Sequence, residues 1–123
     1  MSNDDAVLAA NKAFYAAFLD FDKMNVLWAY VYQEVFCLHP GQEPIFGREA
    51  IIESWKEVCS EKLNISPANE RVLWFGDGLA VVICEEIIAE QPTSEVMIGS
   101  NVFVPMYSPG GWGIAGHHAG RKA

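Results

Sequence analysis

The stretch that decides the fold is Val35-Phe36-Cys37-Leu38-His39-Pro40-Gly41, followed by Phe46-Gly47-Arg48-Glu49-Ala50. Apolar residues run straight into a histidine. Pro40-Gly41 then stops the strand, because proline lacks the N–H that a ladder needs and Pro-Gly favours a turn. A few residues later Gly47-Arg48-Glu49 opens a helix. One titratable side chain, His39, is thereby placed at the end of a strand beside a loop. Ser100-Asn101-Val102-Phe103 and Gly116-His117-His118 are the later segments expected to meet it.

Upstream, residues 4 to 20 read as an amphipathic helix that Asp4 or Asp5 can cap, with Val7, Ala10, Asn11, Phe14, Phe18 and Phe21 on its inward face. Asp20-Phe21-Asp22 interrupts it, and a short second helix over about residues 23 to 30 carries Val26, Leu27 and Trp28. A first strand runs roughly from Glu34 to Leu38. The third helix runs from Gly47 to about Ser60, with Ile51, Trp55 and Val58 on one stripe. Arg48 opposes the dipole at that helix start, so a carboxylate such as Glu43 is its expected partner.

Downstream the period changes to two. Arg71 to Phe75 is a strand, Gly76-Asp77-Gly78 a hairpin turn, and Leu79 to Ala89 a long strand rich in Val and Ile. Turns at Gln91-Pro92-Thr93-Ser94 and Ser108-Pro109-Gly110-Gly111 bound two more strands, Glu95 to Met106 and Trp112 to His118. Helices first and an antiparallel meander after them give an α+β class: three N-terminal helices packed on the concave face of a curved antiparallel sheet.

Alternation in the Glu95–Met106 strand sets Gly99, Asn101 and Phe103 on one face and Ser100, Val102, Val104 and Met106 on the other. The second face is largely apolar although it should be the wet, convex side. A homodimer through that convex face is therefore expected.

The whole chain bounds the function. At 123 residues, residues 1–123 form a single domain, and 51% apolar against 20% charged residues makes it globular rather than disordered. The net charge of −8 argues against nucleic acid and against an anionic membrane surface, both of which need clustered Lys and Arg. A small, largely apolar ligand or a protein partner fits better. The acidic N-terminus has no apolar signal-peptide core, no apolar run reaches membrane length, and Cys37, Cys59 and Cys84 read as buried free thiols, so a cytoplasmic location is expected. No phosphate-binding glycine loop and no usual zinc-ligand spacing occurs, so neither cofactor nor metal is expected.

Several motifs in order resemble a known family: Ala13-Phe14-Tyr15-Ala16-Ala17-Phe18, Leu27-Trp28, His39-Pro40-Gly41, Phe46-Gly47-Arg48-Glu49-Ala50-Ile51 with Trp55, Asn101-Val102-Phe103, Gly110-Gly111-Trp112 and His117-His118-Ala119. Together they resemble the SnoaL-like branch of the nuclear transport factor 2-like superfamily, the cone-shaped α+β fold that includes ketosteroid isomerase. The superfamily holds isomerases, cyclases, dehydratases and assembly domains, so the resemblance implies the fold more sharply than the reaction. By that resemblance His39 stands where ketosteroid isomerase has its general base, and Asn101 stands where it has a protonated aspartate. Phe14 stands where it has the oxyanion tyrosine, with Tyr15 next to it. Steroid isomerisation itself is not implied.

These residues suggest proton transfer beside a carbonyl group. Imidazole titrates near neutral pH, so His39 suits a base. Asn101 could donate to a developing oxyanion, and His118 could supply a second donor or relay. Strict alternation groups Trp112, Ile114, Gly116 and His118 on one face, and the resemblance turns that face into the cone; His117 then faces outward. Phe14, Tyr15, Phe18, Trp28, Trp55, Phe103, Trp112 and Gly116 are the expected pocket lining. The reading is a cofactor-free isomerase, cyclase or dehydratase acting on an apolar carbonyl compound. The alternative is a non-catalytic binding or dimeric assembly domain.

Overall fold

The computed structural model describes residues 3–29, 34–89, 96–106 and 111–122. Its helices are α1 (Asn3–Ala16), α2 (Phe21–Leu27) and α3 (Arg48–Ser60), with a 3-10 turn over Ala17–Leu19. Asp20 ends that turn and caps α2, its carboxylate accepting from the backbone N–H groups of Asp22 and Lys23 at 3.1 and 3.4 Å. This satisfies donors that a helix start leaves orphaned. The guanidinium of Arg48 donates to Asn25 Oδ1 at 3.0 Å, tying the start of α3 to α2.

Six strands follow: β1 (Phe36–Leu38), β2 (Ile45–Phe46), β3 (Ile65–Trp74), β4 (Ala80–Ile88), β5 (Met97–Pro105) and β6 (Trp112–Arg121). They form one curved, unclosed sheet in the order β2-β1-β6-β5-β4-β3. The sheet is mixed rather than wholly antiparallel, because β1 lies parallel to β6. That pairing sets Cys37 beside His117 and Leu38 beside His118. Three elements exceed the sequence reading, β6 running on past His118 to Arg121. β2 is only two residues long, and β3 starts six residues before Arg71, through Ser66-Pro67-Ala68-Asn69-Glu70, to which the sequence reading gives no element. A bulge between Ala68 and Arg71, with Asn69 at φ +52°, absorbs that irregularity. The turns expected at Gln91–Ser94 and at Ser108–Gly110 lie outside the described residues, as does the expected end of α2 at residue 30.

One face of the sheet meets the helices. Phe14, Phe18 and Trp55 pack edge to face there, with ring centroids 5.0–5.6 Å apart, each pair adding about 0.5–1.5 kcal/mol beyond area burial. The opposite face carries an apolar row across all six strands: Leu73, Val81, Val102, Gly116, Phe36 and Phe46 stand side by side in register. Gly116 lets the Phe36 ring lie against that strand, because a Cβ there would lie 2.2 Å from the ring and push it outward. Phe46 is 71% exposed. All three cysteines are buried and unpaired. Among the described residues no helix is long and apolar enough to cross a membrane.

Candidate functional site

The site begins with the alternation of β1. Val35, Cys37 and His39 turn inward, so the chain delivers an imidazole to the interior just past the strand's last residue, Leu38. Gly41, at φ +72°, then turns the chain away, and Gln42 N–H donates to the His39 carbonyl at 3.1 Å. His39 Nε2 lies 2.9 Å from Ser54 Oγ on α3, and the Ser54 hydroxyl itself lies 2.6 Å from the Ile51 carbonyl. Two oxygens that close need a proton between them, so the serine donates to Ile51 and accepts from His39. The tautomer assigned to His39 is therefore Nε2–H. Burial holds its pKa below the ordinary histidine value, so the ring is neutral at pH 7.

A second imidazole faces it. His117 is 2% exposed, its ring centroid 6.5 Å from that of His39 and 5.8 Å from that of Trp55. Desolvation, reinforced by His39 and His118, pushes its pKa down to about 3. A hydrogen-bond chain sets its tautomer. Asn11 Nδ2 donates to the Glu70 carboxylate at 2.8 Å, leaving Asn11 Oδ1 to accept from Asn101 Nδ2 at 2.9 Å. Asn101 Oδ1 then accepts from His117 Nδ1 at 2.6 Å. A carboxylate can only accept, so Glu70 fixes the direction of every bond in the chain. It leaves His117 with a proton on Nδ1 and a lone pair on Nε2.

The third group is Glu86 on β4, 7% exposed. Its Oε2 accepts from the Tyr15 hydroxyl at 2.7 Å, and that hydroxyl also accepts from Asn101 Nδ2 at 3.0 Å. Desolvation raises the Glu86 pKa, with the Tyr15 hydrogen bond opposing, and burial together with Glu86 raises that of Tyr15 far above the phenol range. Gly99 makes the pair possible: a Cβ there would stand 2.4 Å from the Tyr15 hydroxyl and 2.6 Å from Glu86 Oε2. His39, His117 and Glu86 all line one cavity of about 470 Å³, together with Phe18, Trp55, Val58 and Ile65. Among the described residues no three His, Cys, Asp or Glu side chains converge as metal ligands.

A family model described as a SnoaL-like domain matches residues 7–120. The chain belongs to the SnoaL-like family. A protein of Streptomyces avermitilis, provisionally named a dehydratase of the NTF2-like family, is 27% identical, with a TM-score of 0.84 over 97% of this chain and 95% of that one. One from Thiobacillus denitrificans, provisionally named a calcium/calmodulin-dependent protein kinase type II association domain, is 25% identical, with a TM-score of 0.73 over 94% of each chain. A provisionally named ketosteroid isomerase from Parabacteroides distasonis, 13% identical, shares the fold with a TM-score of 0.73 over 94% of this chain and 85% of that one. No curated protein matches the sequence.

Within this SnoaL-like domain the sequence-predicted residues divide. His39, Phe18 and Trp55 line the cavity. Asn101 is buried one layer behind it, with its amide spent on Asn11, Tyr15 and His117. Phe14, Tyr15, Trp28 and Phe103 are core and do not line the cavity. Trp112 is half-buried against Trp74 at 5.5 Å, and Gly116 lies on the outer face beneath Phe36. His118 is exposed on the outer face, and His117 takes the inner place expected for it. The cause is a bulge in β6. Phe103 pairs with Ile114 and Val102 with Gly116, so Ala115 is an extra residue that reverses the alternation after it. The tyrosine also differs from the position-by-position expectation. Tyr15, not Phe14, reaches Asn101. Glu86 was not singled out in the sequence, although a charge in phase with Ala80, Val82 and Cys84 was the signal for it.

Proposed function

We propose that this SnoaL-like protein binds a small, largely apolar molecule in the cavity and moves a proton on it without a cofactor, as an isomerase, cyclase or dehydratase. The observation that carries the reading is the convergence of two neutral imidazoles and a buried carboxyl on one cavity. His117 offers an unprotonated Nε2, the state a general base needs. Glu86 has a raised pKa, the direction in which a carboxyl becomes a proton donor near neutral pH. Dehydration uses such a pair, one group taking the proton from carbon and the other protonating the leaving hydroxyl. The provisional name of the 27% identical Streptomyces avermitilis protein supports that member of the set. His39, tied to Ser54, completes the polar end of the cavity. Asn101 acts by orienting His117.

The test is incubation with apolar β-hydroxy ketones in D2O, followed by NMR. The expected result is loss of the hydroxyl, or deuterium gain beside the carbonyl, that His117→Gln abolishes while the fold is kept. Turnover that survives both His117→Gln and His39→Gln contradicts the reading. A second reading, assembly, has its own support in the apolar outer row ending at exposed Phe46 and in the provisional name of the Thiobacillus denitrificans relative. Its occupant is a second copy of the chain, as a homodimer, and the two readings are compatible.

A further inference from the structure

We infer that the molecule held in this cavity carries a basic nitrogen, seated as an ammonium against Glu86. This rests on the reading of the cavity as a ligand site alone and adds the ligand's charge; Glu86 then serves as the ammonium's ion partner in place of the proton-donor role. Glu86 is nine-tenths buried, lines the cavity, and has one oxygen held by Tyr15. Among the described residues its Oε1 has no hydrogen-bond partner. A buried carboxylate with a single protein donor is under-compensated, and a cation supplies more of what it lacks than water or a neutral donor does. The protein supplies no cation. All eight Lys and Arg residues lie within the described segments, and none lines the cavity.

The remaining polar lining points the same way. Glu57 and Glu61 add two more carboxylates to the wall. His117 presents a lone pair, and the Nε2–H of His39 is committed to Ser54. The indole N–H of Trp55, though without a partner, is closed to solvent. Gln42 adds an amide that can donate, but the lining is otherwise rich in acceptors and negative. An anion would meet three carboxylates. An ammonium brings donors and the missing charge together. Its apolar body finds Phe18, Trp55, Val58, Leu63, Ile65 and Ile88, and the two rings also favour a cation.

The experiment is calorimetric titration of the full chain at neutral pH with four probes that share one apolar cage: 1-adamantylamine, 1-adamantanol, 2-adamantanone and adamantane-1-carboxylate. The expected order places the amine first and the carboxylate last. Glu86→Gln should weaken the amine by at least about tenfold, the loss of a charge-assisted hydrogen bond, and leave the alcohol nearly unchanged. Ketone or carboxylate binding that equals the amine, or amine binding indifferent to Glu86→Gln, overturns the nitrogen and leaves the cavity as a ligand site. Failure of all four probes to bind overturns both. Should the variant not fold, the order of the four probes on the unaltered protein decides the matter.

Discussion

Replacing Gly99 with alanine tests the buried pair at the polar end of the cavity. The new Cβ would stand 2.4 Å from the Tyr15 hydroxyl and 2.6 Å from Glu86 Oε2, where ordinary contact begins at 3.4 Å. The hydroxyl must retreat by about 1 Å, which breaks its 2.7 Å bond to the carboxylate. A hydrogen bond to a charged group contributes about 1.5–3 kcal/mol, and overpacking costs about 1–3 kcal/mol. Alanine returns about 0.5–1 kcal/mol through its better strand preference. Gly99→Ala should therefore destabilise by about 2–4 kcal/mol. Tyr15→Phe removes the nearest obstructing atom and frees Glu86 to turn toward the cavity. The double variant should fall short of the sum of the two single losses by about 1–2 kcal/mol. Urea unfolding at one fixed protein concentration reads all four species, with equal m-values as the check on two-state behaviour. A Gly99→Ala protein as stable as the original, or strict additivity with Tyr15→Phe, refutes the Tyr15–Glu86–Gly99 arrangement.

Three further outcomes follow from the same geometry. Glu86 has a raised pKa in the folded protein, so its ionisation opposes folding above that value and not below the ordinary carboxylate range; Glu86→Gln should gain about 1 kcal/mol at pH 7 and nothing near pH 4, by urea midpoint. His117 has a folded-state pKa of about 3 against the ordinary 6.5, so the unfolded chain takes up the proton first. Its contribution is complete above pH 6.5 and is lost as pH falls toward 3, roughly 5 kcal/mol in all, and His117→Gln should flatten that limb of the pH–stability curve. Phe46→Glu at the end of the outer apolar row should give a monomer in sedimentation at micromolar concentration, with helix content unchanged; a dimer that persists contradicts pairing through that face.

Much of this architecture was legible in the sequence because its signals are local. Pro40-Gly41 after an apolar run placed His39 at a strand end facing inward, and the alternation of Gly99, Asn101 and Phe103 placed Asn101 inside. The errors came where a register shift, invisible in a single strand, changed the phase. Ala115 lies unmarked between Ile114 and Gly116, yet its extra residue turns His117 inward and His118 outward. The early half of β3 was illegible for a related reason: Pro67 and Asn69 argue for a loop, and only pairing with β4 across a bulge makes them strand. The network behind the site was hidden because it is tertiary. Asn11, Asn101 and His117 are far apart in sequence, and only the folded sheet brings them into one directed chain ending at Glu70.

The central claim is that His39 and His117 face one ligand cavity while His118 does not. The most direct measurement is the imidazole nitrogen NMR spectrum of histidine-labelled protein, with and without 1-adamantylamine. The account predicts neutral rings for His39, protonated on Nε2, and His117, protonated on Nδ1, at neutral pH, with both sets of signals moving on addition of the amine and those of His118 still. Signals of His118 that move while His39 and His117 stay silent would contradict it.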